Sequence, residues 1–360
     1  MQERIGTNAE NLLAKAAAGE RLTYEEGVFL YQNAGFLALG RAADLVRRRL
    51  HPEGVVTFVV GRNINYTNIC QCGCRFCAFY RKPDHPQAYL LTLEEIFAKI
   101  EDTIVQEGTE LLIQGGLHPD LDLDYYLRLL TAIKKRYPLH LHSFSPPEVA
   151  HMARKSGLSI RETLVRLKAA GLDSLPGGGA EILVDRVRRL VSPRKITAAQ
   201  WLEVMRQAHR LGLKSSATMV LGHLETASER VLHMVRVREL QDETGGFTAF
   251  IPWTYAPGNT ALGGPGATAV DYLRTLALAR LMLDNIPNIQ VSWVTQGIKL
   301  AQVALSFGGN DFGSTMLEEN VVRAAGVSCR ASRAEIIRHI KDAGFVPAQR
   351  TTLYHILRTF

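Results

Sequence analysis

Short runs of β-branched and aliphatic residues alternate along this chain with longer stretches whose apolar positions recur every three or four residues. The short runs predict strands at Val55 to Val60, Leu111 to Gln114, Leu139 to Phe144, Asp173 to Leu175, Ser215 to Leu221, Phe247 to Trp253 and Ile289 to Val294, with a weaker one near Ser306 and Phe307. The longer stretches predict helices at Leu93 to Gln106, Leu123 to Lys135, Ile160 to Ala170, Ala198 to Leu211, Ala227 to Glu243, Val270 to Leu283 and Gly297 to Leu305. Capping-box spacing marks three of their starts, at Thr92 with Glu95, Thr197 with Gln200 and Thr226 with Glu229.

Eight strands alternating with helices predict one α/β domain, most economically a (β/α)8 TIM-type barrel over residues 53–331. An open dinucleotide-binding sheet would carry a glycine-rich phosphate turn after its first strand, and here that strand runs into cysteines instead. Residues 1–52 are expected to form an N-terminal helical cap, and residues 332–360 a C-terminal helix and tail packed on the barrel. In a barrel the chemistry belongs at the C-terminal ends of the strands. Polar, glycine-rich and titratable residues gather there: Gln114-Gly115-Gly116 with His118, Ser143, Gly177-Gly178-Gly179 with Glu181, His223 and Glu225, Tyr255, Thr295-Gln296, and Asn310-Asp311.

The composition agrees with a globular chain, since 46% of the 360 residues are hydrophobic and 21% charged. A formal net charge of +7 suits an anionic small-molecule substrate. The basic clusters lie inside apolar-periodic stretches, which argues against a dedicated nucleic-acid surface. The start of the chain has no signal-peptide layout, and no apolar run approaches the ~18 residues of a membrane span. A cytoplasmic protein with no membrane partner is expected.

Four of the five cysteines, Cys70, Cys72, Cys74 and Cys77, fall within eight residues. In a reducing compartment such a cluster holds a metal rather than disulfides. The spacing C-x3-C-x2-C within one loop lacks the second distant pair of an ordinary zinc site, although Cys72 could complete a tetrahedral set. An iron–sulfur cube has separated corners that one loop can wrap. Three thiolates would leave its fourth iron open, where a fully ligated cluster takes four.

At these residues the chain resembles the radical S-adenosylmethionine (SAM) enzymes, whose signature is C-x3-C-x-aromatic-C with Phe76 at the aromatic position. The resemblance implies one 4Fe–4S cluster on Cys70, Cys74 and Cys77; Cys72 departs from the family pattern and is expected as a small residue turned away from the cluster. It implies SAM bound at the open iron, Phe76 near the adenine, and an external low-potential electron donor. It also implies cofactor contacts from Gln114, Gly115 and Gly116, with Ser143 and Glu181 as further contacts at strand ends. The segments NYTNIC…CRFCAFYR, PGGGAEIL, GHLET, FIPWTYAPGNT, SWVTQG and GGNDFGSTMLEENVV together look like the enzymes of the futalosine route to menaquinone, and most like its cyclic dehypoxanthinyl futalosine synthases.

That family joins ribose carbon 4′ of a nucleoside-type substrate to the same molecule's benzoate ring. What the resemblance implies is hydrogen abstraction at carbon 4′, radical addition to the ring, and loss of one electron and one proton. A base is then required, and the sequence offers Asp311 first, followed by His118, His223, Glu225 and Tyr255. Thr295 and Gln296 are the expected substrate contacts. The nearest rivals are aminofutalosine synthase, which keeps the deoxyadenosyl group in its product, and the deazaflavin-ring synthases. An RNA-modifying radical SAM enzyme would bring an extra basic module that is not evident, and a non-enzymatic metal-binding protein leaves the glycine-rich strand ends unexplained.

Overall fold

A computed structural model describes residues 2–360, with side chains from Gly6 onward. Three helices come first, Gln2–Ala18, Tyr24–Asn33 and Phe36–Leu50, and pack on the flanking helices Ala227–Thr244 and Ala269–Met282. The strands follow: β1 (Val55–Val59), β2 (Gly61–Ile64), β3 (Glu110–Ile113), β4 (His140–Ser143), β5 (Ser174–Leu175), β6 (Lys214–Leu221), β7 (Phe247–Thr254), β8 (Asn288–Ile289), β9 (Asp311–Ser314), β10 (Val346–Arg350) and β11 (Ile356–Thr359). β2 to β8 form one parallel sheet in chain order. β9 pairs in parallel with β1, and a parallel bridge between Gln290 and Asp311 links it to the end of β8. With β1 and β2 counted as one broken strand, the ring is the expected (β/α)8 barrel.

The helices form where the periodicity places them, and their starts are fixed chemically. Thr92, Thr197 and Thr226 each accept the backbone N–H three residues on, while Glu95, Gln200 and Glu229 reach back to the cap. A cap of this kind contributes about 1 kcal/mol. Each amphipathic helix then buries one stripe against the outside of the strands. Ala198–Arg210 buries Trp201, Val204, Met205 and Ala208 in this way. The hydrophobic core therefore lies between strands and helices. Leu111, Ile113 and Leu141 share one apolar cluster with Leu129, Leu130 and Ile133, and Ala217, Met219 and Leu221 share another with Val231 and Met234.

Three expectations need correction. The strand at Ile289 to Val294 stops at Ile289, and Trp293–Gln296 is a single helical turn. Ser306 and Phe307 end the helix Ile298–Leu305, with Phe307 packed on Phe36 at 4.9 Å between ring centroids. The last barrel strand is β9, whose polar sequence carries no apolar signature. Residues 332–360 are also more than a helix and tail. After the helix Arg333–Asp342, β10 and β11 make an antiparallel pair, and β10 lies parallel to β1 with Val55 opposite Val346. β1 extends below the level at which β3 begins, and β10 occupies the edge it leaves free.

At the end of β10, Arg350 binds Asp311 with both ends of its fork, Nη2 to Oδ1 at 2.9 Å and Nε to Oδ2. Thr57 Oγ1 and the Gly313 N–H also donate to the Asp311 carboxylate, which is fully buried. Arg350→Ala would strand that carboxylate, and a loss of about 3–5 kcal/mol in unfolding free energy is expected from denaturant melts. The paired change Arg350→Met with Asp311→Leu should recover most of it. A single substitution that costs no more than the pair would show that the charges are not coupled.

Candidate active site

Alternation along the strands creates two different surfaces. Leu111, Ile113 and Leu141 point to the helices, while Glu110, Leu112 and His142 point into the ring, as do Ser216 and Thr218 on β6. An ordinary barrel fills its interior with layers of branched apolar side chains. Here the inward positions are largely short or polar, and they leave a cavity of about 420 Å³. That is within the usual range for a small-molecule site. Arg350, Thr352 and Tyr354 line its closed lower end, and the cysteine loop lines its mouth.

The loop turns three of its four thiols to the cavity. Cys70, Cys74 and Cys77 line the cavity, whereas Cys72 does not and is 1% exposed. Cys72 Sγ turns to the Arg194 carbonyl at 3.9 Å, and Arg194 Nε donates to the Cys72 carbonyl at 3.0 Å. Its own proton is strongly held because it hydrogen-bonds to Cys70 and Cys74. The same bond from Cys72 draws the Cys70 pKa down to about 6 and lowers that of Cys74, while burial pushes Cys77 up to about 11. Among the described residues, no three His, Cys, Asp or Glu side chains converge on a single ion. Three thiols that face the cavity are the number that leaves a 4Fe–4S cluster one open corner.

Gly115 and Gly116 follow β3 because nothing larger fits. A Cβ on Gly116 would lie 2.1 Å from the Ile69 carbonyl, and one on Gly115 would strike the Tyr66 ring at 2.5 Å. The pair thus lies flat against the cysteine loop, with the Gly116 N–H donating to Thr67 O at 3.0 Å. Glu148 clamps the arrangement. It accepts from Tyr66 Oη and Gly115 N, both at 3.0 Å, and from Ser145 N at 2.7 Å and Ser145 Oγ at 2.6 Å. Burial nonetheless lifts its pKa to about 7. Glu181 lines the same wall in a left-handed conformation (φ +42°), uncommon for a residue with a side chain. It pairs with Lys195 at 2.7 Å and Arg188 at 3.3 Å. Burial alone would raise its pKa, but the two cations lower it overall. Lys195 Nζ also stands 5.2 Å from the centre of the Phe76 ring.

The residues expected from sequence divide sharply. Phe76, Gln114, Gly115, Gly116, Glu181, Tyr255 and Thr295 line the cavity together with the three cysteines. Ser143 does not, because on β4 it has the parity of outward-facing Leu141, and Ser145 is the serine that reaches the cavity. Asp311 is also outside the lining. Its oxygens are taken by Arg350, Thr57 and Gly313, so the geometry does not support it as the base. Glu225 accepts from Gly222 N at 2.6 Å and Arg230 Nε at 2.8 Å and faces His223, forming a latch away from the cavity. His118 accepts from Asp120 N, and its carbonyl is bonded by His151, which makes it a loop brace. Gln296 donates to Thr254 Oγ1 rather than into the cavity. Tyr255 Oη is held by Gly263 O at 3.1 Å and by Thr260. Glu148 and Lys195 belong to the site without being among the residues expected from sequence. Glu148 had a signal, the capping-box spacing from Ser145 before the helix Pro146–Ser156. Lys195 had none.

Comparison with known proteins gives the chain a family. Residues 64–236 match the radical SAM superfamily, and residues 244–359 match the CofH/MqnC C-terminal region. The cyclic dehypoxanthine futalosine synthase of Halalkalibacterium halodurans is 50% identical, covering 98% of this chain and 95% of that protein. The protein of the same name from Streptomyces coelicolor is 48% identical, covering 96% and 88%. A 5-amino-6-(D-ribitylamino)uracil–L-tyrosine 4-hydroxyphenyl transferase of Archaeoglobus fulgidus is 46% identical, covering 88% and 93%. The crystal structure of methylornithine synthase superposes with a TM-score of 0.74 at 19% identity, over 94% of this chain and 97% of that one, and shares the fold. With half of its residues shared over nearly its whole length, the chain belongs to the radical SAM superfamily, in the CofH/MqnC family, and its cofactors are a 4Fe–4S cluster and SAM.

Proposed function

We infer that this chain is a cyclic dehypoxanthine futalosine synthase acting in menaquinone biosynthesis. The observation that carries the reading is its 50% identity, over 98% of its length, with the H. halodurans enzyme of that name. Cys70, Cys74 and Cys77 hold the cluster, and the Gly115 and Gly116 carbonyls receive the amino group of SAM. Phe76 lies by the adenine, and Glu181 lies on the same wall as a further cofactor contact, its charge fixed by Lys195 and Arg188. When bound, these cofactors supply a 5′-deoxyadenosyl radical that takes hydrogen from ribose carbon 4′.

The remaining work belongs to the protein. The substrate radical must meet its own benzoate ring before any other hydrogen, so the chamber has to hold ribose and ring together and keep water out. Thr295 and the inward-facing Asn63, Thr218 and Gln290 supply hydrogen bonds for hydroxyls at mid-height. Trp253 and Met316 supply apolar wall against the ring. The enzyme works on a small nucleoside-type molecule in the cytoplasm, with an external low-potential electron donor. A second reading, as a 4-hydroxyphenyl transferase, is favoured by the A. fulgidus relative.

Anaerobic incubation with reductant, SAM and dehypoxanthine futalosine should yield the cyclised nucleoside and free 5′-deoxyadenosine by mass spectrometry. Turnover of L-tyrosine with 5-amino-6-(D-ribitylamino)uracil, and none of the nucleoside, would transfer the assignment to the second reading. Cys72→Ala should retain about four irons per chain and near-normal turnover, whereas Cys74→Ala should lose the iron–sulfur absorbance and all SAM cleavage. An iron-free Cys72→Ala protein would make Cys72 a ligand and remove the open corner.

A further inference from the structure

The reaction above leaves one task without a residue, which is to take the proton that the ring loses as it becomes aromatic again. Its acceptor must face the chamber and have free lone pairs. Glu148 already accepts from Tyr66, Gly115 and Ser145. Glu181 is tied to Lys195 and Arg188. Glu319 accepts from the N–H groups of Val321, Val322 and Arg323 with both of its oxygens. His142 rests on Ser174 Oγ through Nδ1 at 2.6 Å, and burial pushes its pKa down to about 3, which makes it a feeble proton acceptor.

Glu110 is different. It is the first residue of β3, faces inward, lines the chamber and is 7% exposed. Among the described residues it forms no ion pair, and Arg350 and the Thr352 hydroxyl are the groups that draw on its charge. Burial raises its pKa, with Arg350 and Thr352 drawing it part of the way back. A carboxyl with a raised pKa is the stronger base once ionised.

We propose that Glu110 is the catalytic residue that accepts the ring proton; the assignment rests on the cyclase reading. At the ring carbon newly joined to carbon 4′, the C–H bond breaks with its electron pair left on the ring. The proton passes to a Glu110 carboxylate oxygen. The odd electron of the resulting radical anion then leaves to a one-electron acceptor of the iron–sulfur class, and aromaticity returns. Glu110 needs no partner of its own for this, because Arg350 is already neutralised by Asp311 and does not bind it as a salt bridge.

The test compares wild type with Glu110→Gln and Glu110→Asp, each reconstituted with cluster and SAM and given dehypoxanthine futalosine. Glu110→Gln should still form 5′-deoxyadenosine, while cyclised product falls about 100-fold or more, so that 5′-deoxyadenosine formed per product rises. Glu110→Asp should restore part of the product. Substrate deuterated at the attacked ring position should show a larger isotope effect on product in Glu110→Gln than in wild type. An unchanged ratio of 5′-deoxyadenosine to product in Glu110→Gln overturns the proposal. If Glu110→Gln fails to cleave SAM, Glu110→Asp decides: equal losses of both products assign Glu110 a structural part and also overturn it, and a selective loss of cyclised product supports it. Wild type that makes no cyclised product overturns the cyclase reading instead.

Discussion

The ion pair between Arg350 and Asp311 joins the floor of this barrel to its wall, and the chamber above depends on it. Arg350 comes from β10 and Asp311 from β9, with β1 between them contributing Thr57. Buried pairs of this kind add little net stability, because desolvating both charges offsets their attraction. Their value lies in geometry. A forked guanidinium meets a carboxylate in one orientation, and that fixes how far β10 rises beside β1. The same contact removes Arg350 as a partner for Glu110 and leaves that carboxyl buried next to a charge it does not bind.

The mouth of the chamber is organised by a different means. Steric limits at Gly115 and Gly116 press the end of β3 on the cysteine loop, and Glu148 ties both to the start of the helix Pro146–Ser156. The loop cannot then turn without moving a strand. That rigidity is what points three thiols inward while the fourth stays against the Arg194 carbonyl. Electrostatics follow from the same arrangement, since Cys72 keeps its proton and the sulfurs beside it become the easier ones to ionise.

Sequence revealed most of this molecule where a local rule operates. The cysteine spacing, the three threonine caps and the helix Ile160–Ala170 were all legible, as were the strands at Val55, Leu111 and Ser215. Failures came where the inside of the barrel is polar. β9 reads Asp-Phe-Gly-Ser and β10 reads Val-Pro-Ala-Gln-Arg, neither of which looks like a buried strand, because the inward positions face a chamber rather than a core. The setting of Asp311 is hidden from the sequence for a related reason. Its motif is local, but its partner Arg350 lies 39 residues away and only tertiary structure brings them together. Glu110 stands just before the apolar run that marks its strand, and Ser143 has the parity of outward-facing Leu141.

The two-faced strands separate what the fold requires from what the chemistry requires. Odd-numbered positions such as Leu111, Ile113 and Leu141 are locked against helices, whereas their even-numbered neighbours Glu110, Leu112 and His142 face the chamber. Evolution can therefore rewrite the second set like letters on a fixed staff, exchanging one reaction for another while the scaffold keeps its tune. Relatives 50% and 46% identical to this chain bear different names.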